Sequence, residues 1–515
     1  MVVLNDVTGD SRVQKSAAVV SQAGFRVTVV GRSPTAERTL EWLDDVRVIR
    51  VPVDLVLKRY TSALRALPDT VTSSDPDPDP AAQRSLRSLV RARRRLLKIK
   101  GIRASLDMAS GSAAGRPFRA LQWARIWVLR RSARRDRRKA SHQRSRMVTR
   151  NRDPRAVPAP RTPSHDAPVH WRDELSVLND FELAYLPVVD ELDPDLIHAH
   201  DHSALAIAEH ATLLARGRGR PVRLLYDAHE YVRGVPHDDD RVGRAWVELE
   251  REHIATADAV ITVSPVLSER LQQEHGLRRR PEVVLNAPLL KAFDRESDHS
   301  VRAAADVDDG TPLLVYSGGV KPQRGVGTLV EALPHMPGVH VAIVARADSR
   351  AVQDLRDLAK RLDCVERLHI VPFVHPDLVS TYLRTADVGV HTILRSGNAD
   401  IALPNKMFEY FHAGLPMVVS DAVAMAQFTR EYGTGESFPA KDHRALAAAC
   451  LKVLGDLDRY RRPFEDVEFL RRYSWERQAE TLIKVYTRLL SPNQANQETT
   501  PGESGVPSLR FVSGA

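Results

Sequence analysis

Cysteine is almost missing from this chain. Its two copies in 515 residues, Cys364 and Cys450, are too few and too isolated for a disulfide scaffold or a Cys-x-x-Cys zinc site. Long apolar runs are missing too: no uninterrupted stretch approaches the ~18 residues of a membrane-spanning helix. The opening residues, Met1-Val2-Val3-Leu4, lack a basic lead and a small-residue cleavage site, so they read as a strand rather than a secretion signal. These absences make a reducing cytoplasm the expected location. The formal charge of +9 hints at a polyanionic partner, but it is unevenly spread. Residues 84–155 hold 24 Lys/Arg and 3 Asp/Glu, a net +21, which leaves −12 for everything else. The basic character belongs to one segment.

What is present alternates short apolar runs with helical spacing, the pattern of parallel βαβ winding. MVVLN, then the polar DVTGDSR turn, then VQKSAAVVSQAG closing at Gly24, leads to FRVTVVGR and VRVIRVPV. Residues 68–83, dense in Pro and Asp, break the pattern, and RDPRAVPAPRTPSHDAP ends the interruption. Winding resumes in DLIHAH, VRLLYDAHE, DAVITVS and EVVLN. The expected first domain therefore spans 1–290 with an insertion at about 68–167. A second wound domain is expected over 305–475 from LLVYS, VHVAIVAR, LHIVPF, ADVGVHT and PMVVS, followed by a closing helix at 476–490 and a disordered tail at 491–515. Two such domains in tandem form a cleft between facing strand C-termini, where ligands bind.

Two stretches of the second domain carry chemistry. In ALPNKMFEYFHAGLP, Pro404 suits the first turn of a helix and Gly414 its C-terminal cap. The helix start, at Pro404 and Asn405, offers unpaired N–H groups to phosphate oxygens, and Lys406 adds a cation. Glu409 lies one turn inward, where it either accepts hydrogen bonds from sugar or ribose hydroxyls or is simply solvated. In YSGGVKPQRGVGTLVEAL, Gly318 and Gly319 follow a strand and permit close backbone approach, while Arg324 supplies a forked donor. Neither G-x-G-x-x-G nor G-x-x-x-x-G-K-[ST] is present there, which disfavours nicotinamide and P-loop chemistry.

Together these stretches resemble the family-4 retaining glycosyltransferases of the GT-B fold, and DSRVQKSAAVVSQAGFRVTVVGR, DLIHAHD, LLYDAHE and ADAVITVSP match that family's first-domain blocks in order. The resemblance covers about 1–55 and 170–490. It implies an α/β protein with two doubly wound Rossmann-like domains facing a central cleft, and a metal-independent transfer with retention from a nucleotide-diphosphate sugar to a glycan or lipid-linked acceptor. No cofactor and no metal are expected. It further implies that Arg324 holds the diphosphate, that Glu409 binds the ribose, and that His229 faces the transferred sugar. Asp10, Arg12, His200 and Asp201 would border the acceptor. Gly318, Gly319, Lys321, Asn398, Asp400, Pro404, Asn405 and Lys406 would complete the donor site, with Lys406 sharing the catalytic charge stabilisation.

Two positions depart from the family pattern. Ile401 stands where the first Glu of Glu-x7-Glu is expected, with Asn398 and Asp400 as the nearest polar substitutes, and Gly319 replaces an Arg, leaving Lys321. Plainer readings also stand beside several assignments. His198 and His200 suit a strand edge, Asp10 and Arg12 can pair across their own turn, and Phe373 reads as core. No acidic D-x-D constellation offers a metal site, and no side chain presents itself as a nucleophile, which favours a front-face displacement. In the insertion, Trp123, Trp127 and Phe118 precede a dense basic run, which fits an anionic membrane surface at 84–155 and a peripheral place on the inner membrane face. A solvated insertion packed on the first domain competes with that reading, and nucleic-acid binding is disfavoured. The rival to the enzyme is a non-catalytic GT-B protein that binds a partner or nucleic acid through this insertion.

Overall fold

The computed structural model describes residues 1–58, 169–290, 300–375 and 378–491. The basic insertion, including the membrane surface expected at 84–155, lies outside the described residues, as does the tail beyond Ser491. Among the described residues no helix is long and apolar enough to cross a membrane.

Two α/β Rossmann-like domains flank a central cleft. The first sheet grows outward from the N-terminal segment, where Val2 bridges in parallel to Val30 on one side and to Ala199 on the other. Val2 N donates to His198 O at 2.8 Å, and His200 N donates to Val2 O at 3.0 Å. One flank holds β1 (Thr28–Arg32), β2 (Thr39–Leu43) and β3 (Val46–Val51), in which β3 pairs with β1 in parallel and β2 closes the edge antiparallel. The other flank runs through β4 (Leu196–His200), β5 (Arg223–Ala228), β6 (Ala259–Thr262) and β7 (Glu282–Val283), all parallel. Winding therefore reverses between the N-terminal segment and β4, and the loops leaving those two strands diverge to open a crevice.

Helix α1 (Ser11–Gln22) follows the N-terminal segment; Asp10 caps it by accepting from Val13 N at 3.1 Å. It ends at Gly24, as its sequence predicts, where a φ of +92° reverses the chain. Helices α2 (Ser176–Glu191), α3 (His202–Gly217), α4 (Asp240–His253) and α5 (Pro265–His275) complete the first domain. Strand β2 was not legible in the sequence. All five of its residues are exposed, so TLEWL carries no buried face and no alternation signal.

The second sheet contains β8 (Leu313–Ser317), β9 (His340–Val344), β10 (Leu368–Val371), β11 (Val388–His391), β12 (Met417–Ser420) and β13 (Gly435–Phe438). Their order, β10-β9-β8-β11-β12-β13, reverses between β8 and β11. The short, half-polar GESF strand β13 is the element that sequence periodicity missed here. Around the sheet lie α6 (Val326–Ala332), α7 (Arg350–Arg361), α8 (Gly397–Ile401), α9 (Asn405–His412) and α10 (His443–Leu454). The last helix, α11 (Trp475–Leu490), returns to the first domain. Its Trp475, Ala479, Leu482, Val485 and Tyr486 recur at helical spacing and bury against Val3, Val13, Val20, Leu225 and Ile261.

Helix α9 sits over the β8–β11 reversal because Tyr410 stitches it there. Ser317 N donates to the Tyr410 hydroxyl at 3.1 Å, and that hydroxyl donates to Val390 O at 3.2 Å. Gly389 makes room, since a Cβ there would meet the ring at 2.6 Å. The opposite face of the helix is fastened by Phe408 and Phe411, which pack edge-to-face at 5.7 Å within a cluster holding Phe428, Phe469 and Tyr473. After Ala413 the helix closes on Gly414 at φ +69°, with Gly414 N donating to Phe411 O and Leu415 N to Tyr410 O, both at 2.9 Å. Tyr410→Phe leaves the buried Ser317 N–H without its acceptor and is expected to destabilise the protein by about 1–3 kcal/mol. Urea unfolding of the variant checks this, and an unchanged midpoint would show that the hydroxyl does not anchor the helix.

Candidate active site

The wall contributed by the first domain is built on one buried carboxylate. Asp227, near the end of β5, is fully buried and receives Arg12 in a two-pronged pair, with Nε to Oδ2 at 2.9 Å and Nη2 to Oδ1 at 2.8 Å. The third arm, Arg12 Nη1, donates to Val284 O at 2.8 Å. Three histidines surround the same carboxylate: His229 Nε2 at 2.8 Å, His200 Nδ1 at 3.3 Å and His198 Nε2 at 3.9 Å from Oδ2. Burial alone would raise the Asp227 pKa, but Arg12 and the histidines hold it well below the usual carboxylate range. His198 is driven well below the ordinary imidazole value by burial and then by His200, and burial also lowers His200. His229 differs. Burial opposes its charge, yet Asp227 outweighs that and raises its pKa. Its side chain is also 20% exposed, whereas His198 and His200 are sealed.

Beside it, Asp201 caps α3 by accepting from His202 N at 2.7 Å, and it holds a φ of +71° that non-glycine residues rarely adopt. Burial works against its charge, but His202 prevails and lowers its pKa to about 2. Glu230, next to His229, is pushed up by burial and by Asp201.

The second-domain wall lies at the β8–β11 reversal. Lys406, in the first turn of α9, extends across Gly318, where a Cβ would sit 1.9 Å from Lys406 Cε and 2.5 Å from Nζ. Only glycine admits the ammonium this close to the strand end. Burial, with Arg324 adding to it and Glu409 opposing it, lowers the Lys406 pKa. No carboxylate lies within ion-pair distance of Lys406 or Arg324 among the described residues. Arg324 is placed by its backbone: Thr392 Oγ1 donates to Arg324 O at 2.8 Å, and Leu394 N to Gln323 O at 3.0 Å. The turn after β8 is thereby tied to the loop after β11. Glu409 is raised by burial, partly offset by Lys406 and by Lys15 of α1 across the cleft.

Sequence reasoning missed His391. It ends β11, fully buried, and neither ring nitrogen has a hydrogen-bond partner among the described residues. Burial, then Lys406 and Arg324, lowers its pKa to about 3, so the ring is neutral. Asn405 Oδ1, at the start of α9, is likewise buried and unpartnered. The available signal was a lone histidine inside the apolar run VGVHT.

Several predicted residues sit differently from their first reading. Arg12 does not pair with Asp10: Asp10 caps α1 and accepts from Asn5 Nδ2 at 2.7 Å, while Arg12 turns inward to Asp227. His198 and His200 lie within β4, buried, in the strand that DLIHAH predicts. Pro404 is the residue before the first turn of α9, and Asn405 opens it. Lys321 and Gly319 are exposed. Asn398 and Asp400 are turned to other partners: Asp400 receives Arg395 at 3.0 and 3.1 Å, and Asn398 bonds the first domain. Phe373 is not core; it is 50% exposed just beyond β10.

His198, His200 and Asp227 bring ligand-type atoms within 4.8 Å of one another. Arg12 already binds both Asp227 oxygens, and His198 turns Nε2 toward that carboxylate while its Nδ1 lies 2.9 Å from the Tyr486 hydroxyl. A second trio, Glu209, His210 and His253, has the Arg172 guanidinium 3.3 Å from His210 Nε2, on the atom a metal would need.

Residues 311–456 match the family model for Glycosyl transferases group 1, and residues 139–287 match that for Glycosyltransferase Family 4. The chain is 31% identical over 301 residues to the phosphatidyl-myo-inositol mannosyltransferase of Mycobacterium leprae, covering 57% of this chain and 73% of that protein. It is 25% identical over 328 residues to the D-inositol 3-phosphate glycosyltransferase of Geodermatophilus obscurus, covering 60% and 70% respectively. Its fold is similar to that of sucrose-phosphate synthase from Thermosynechococcus elongatus, with a TM-score of 0.58 at 16% identity over 93% of this chain and 92% of that one. Two reversed sheets facing one cleft, glycosyltransferase family models matching both halves, and the 31% identical mannosyltransferase lead to one conclusion: the chain belongs to the family-4 glycosyltransferases of the GT-B fold.

Proposed function

We propose that the protein moves a sugar from a nucleotide-diphosphate donor to a hydroxyl of a glycan or lipid-linked acceptor, with retention of anomeric configuration and without a metal. The observation that carries this reading is the crowding of two cations at a helix start. Neither Arg324 nor Lys406 has a carboxylate within ion-pair distance among the described residues, and burial first, with Arg324 adding to it against the pull of Glu409, depresses the lysine. An anion relieves that repulsion, and a diphosphate presents enough oxygens for both side chains and for the free N–H groups of α9. Neutral His391 sits under the same spot as a further donor that adds no charge. Glu409, one turn on, accepts from ribose hydroxyls.

In the reaction the bond from the anomeric carbon to the diphosphate oxygen breaks. The acceptor oxygen bonds to that carbon on the same face, and its proton passes to the departing phosphate. Arg324, Lys406 and the helix dipole stabilise the charge that develops on the leaving group, in a site organised before substrate arrives. Asp227 holds His229 by Nε2, leaving Nδ1 for a hydroxyl of the transferred sugar. The name of the Mycobacterium leprae relative supports a lipid-linked acceptor.

Titration with uridine, guanosine and adenosine diphosphates tests the donor site. At least one should bind, and Arg324→Ala or Glu409→Ala should weaken it about 10–100-fold, the loss of one charge-assisted hydrogen bond. Binding indifferent to both substitutions would refute the assignment. For His229→Gln, kcat is expected to fall by about 100-fold with diphosphate affinity unchanged. The same variant has a pH signature. Because the folded His229 pKa lies above its ordinary value of 6.5, its stabilisation is complete below pH 6.5 and disappears as pH rises through the folded value. The Tm gap between wild type and variant should therefore narrow from pH 6 to pH 9; a gap constant with pH would show that His229 is not charged in the fold. Proton NMR of the product should show the donor's anomeric configuration at rates unaffected by EDTA, and an inverted product would exclude the front-face route.

A further inference from the structure

Helix α8 belongs to the second domain by sequence, but its side chains and backbone engage the first. Asn398 is used at both ends of its amide: Oδ1 accepts from Tyr231 N at 2.8 Å, and Nδ2 donates to Glu230 Oε2. At the C-terminal end of the helix, Ser264 Oγ donates to Ile401 O at 2.8 Å, in a bond sealed from solvent. Ser264 is itself fixed, because the same oxygen caps α5 by accepting from Leu267 N at 3.1 Å. The Ile401 side chain, 6% exposed, is packed into the apolar cluster of the first domain with Tyr231 and Leu267.

Between these two anchors the backbones touch. A Cβ at Gly234 would lie 2.4 Å from Asn398 N and from Gly397 C, and a Cβ at Gly397 would lie 2.8 Å from Gly234 Cα. Two glycines from opposite domains therefore face each other where any side chain would hold them apart. Within the helix, Ser396 caps Ala399 N at 3.1 Å and Arg395 binds Asp400, so α8 keeps its shape as it crosses.

We infer that α8 is a latch between the domains and that Asn398 is a positioning residue: it fixes Glu230, and through the adjoining backbone His229, against the donor site. This inference rests on the role given to His229 under the proposed function. It also accounts for Ile401. At the place where the family pattern puts a carboxylate, this chain carries an apolar anchor, because the position is buried in the other domain and an unpaired charge there would be strongly destabilising. The segment serves closure instead of sugar contact.

The test uses the full chain with two substitutions, Asn398→Ala and Gly234→Val. The first removes both amide bonds without adding bulk; the second drives a branched side chain into the glycine contact. Circular dichroism verifies folding, and should Gly234→Val fail to fold, Asn398→Ala carries the test alone. Expected are a kcat lower by about 10–100-fold, a diphosphate Kd within twofold of wild type, and a larger radius of gyration in small-angle scattering. An unchanged radius of gyration and kcat would overturn the latch. A Kd that rises in step with the fall in kcat would also overturn it, by showing Asn398 to be a donor ligand. If no nucleoside diphosphate binds even the wild type, the proposed function fails, while scattering still decides the latch.

Discussion

The first domain is organised around the charge of Asp227. A carboxylate sealed from water is tolerable only if charge and hydrogen bonds compensate it, and here the groups around it come from separate parts of the chain. Arg12, from the start of α1, donates to both oxygens, and the rings of His200 from β4 and His229 from the loop after β5 lie 3.3 and 2.8 Å from Oδ2. His198, stacked on His200 at 3.9 Å, passes the connection to Tyr486 of the last helix. One anion thus ties the N-terminal segment, two central strands and α11 to a single point. Removing Arg12 alone would leave that anion uncompensated, a loss on the order of 3–5 kcal/mol. The same arrangement sorts three similar histidines into two sealed rings with lowered pKa and one partly exposed ring at the cleft with a raised one.

The second domain solves the complementary problem of keeping cations without partners. Arg324 and Lys406 are held near each other by structure that is indifferent to their charge: the Tyr410 hydroxyl, the aromatic cluster under α9 and the backbone ties to the turn after β8. The first domain therefore pairs its buried anion internally, whereas Arg324 and Lys406 of the second lie outside any ion pair among the described residues. Helix α8 joins these two walls through contacts that depend on neither charge set.

Much of this was legible in the sequence, for identifiable reasons. Strands buried on both faces, such as LLVYS and PMVVS, read as unbroken apolar runs, and Gly24 and Gly414 marked helix ends because only a positive φ completes those caps. Strands β2 and β13 were invisible because they sit at sheet edges and bury too little to show a pattern. Pairing of Arg12 with Asp10 across their turn was the plainer of two readings, since nothing local reveals that its partner lies 215 positions away. Asn398 and Asp400 were read as donor ligands from their spacing to Glu409, but spacing does not show that Asn398 bonds Tyr231 and Glu230 of the first domain while Asp400 pairs with Arg395.

The sequence by itself determined the winding of both domains, the place of Lys406 at a helix start and the family, because periodicity, capping residues and motif order are local properties. Only the tertiary structure decided which charges are neutralised and which are kept. That outcome depends on burial and on partners brought together from distant positions. Ile401 shows the difference most plainly. As a letter in a motif it looked like a lost carboxylate; in the fold it is an anchor, because the surface it meets belongs to the other domain.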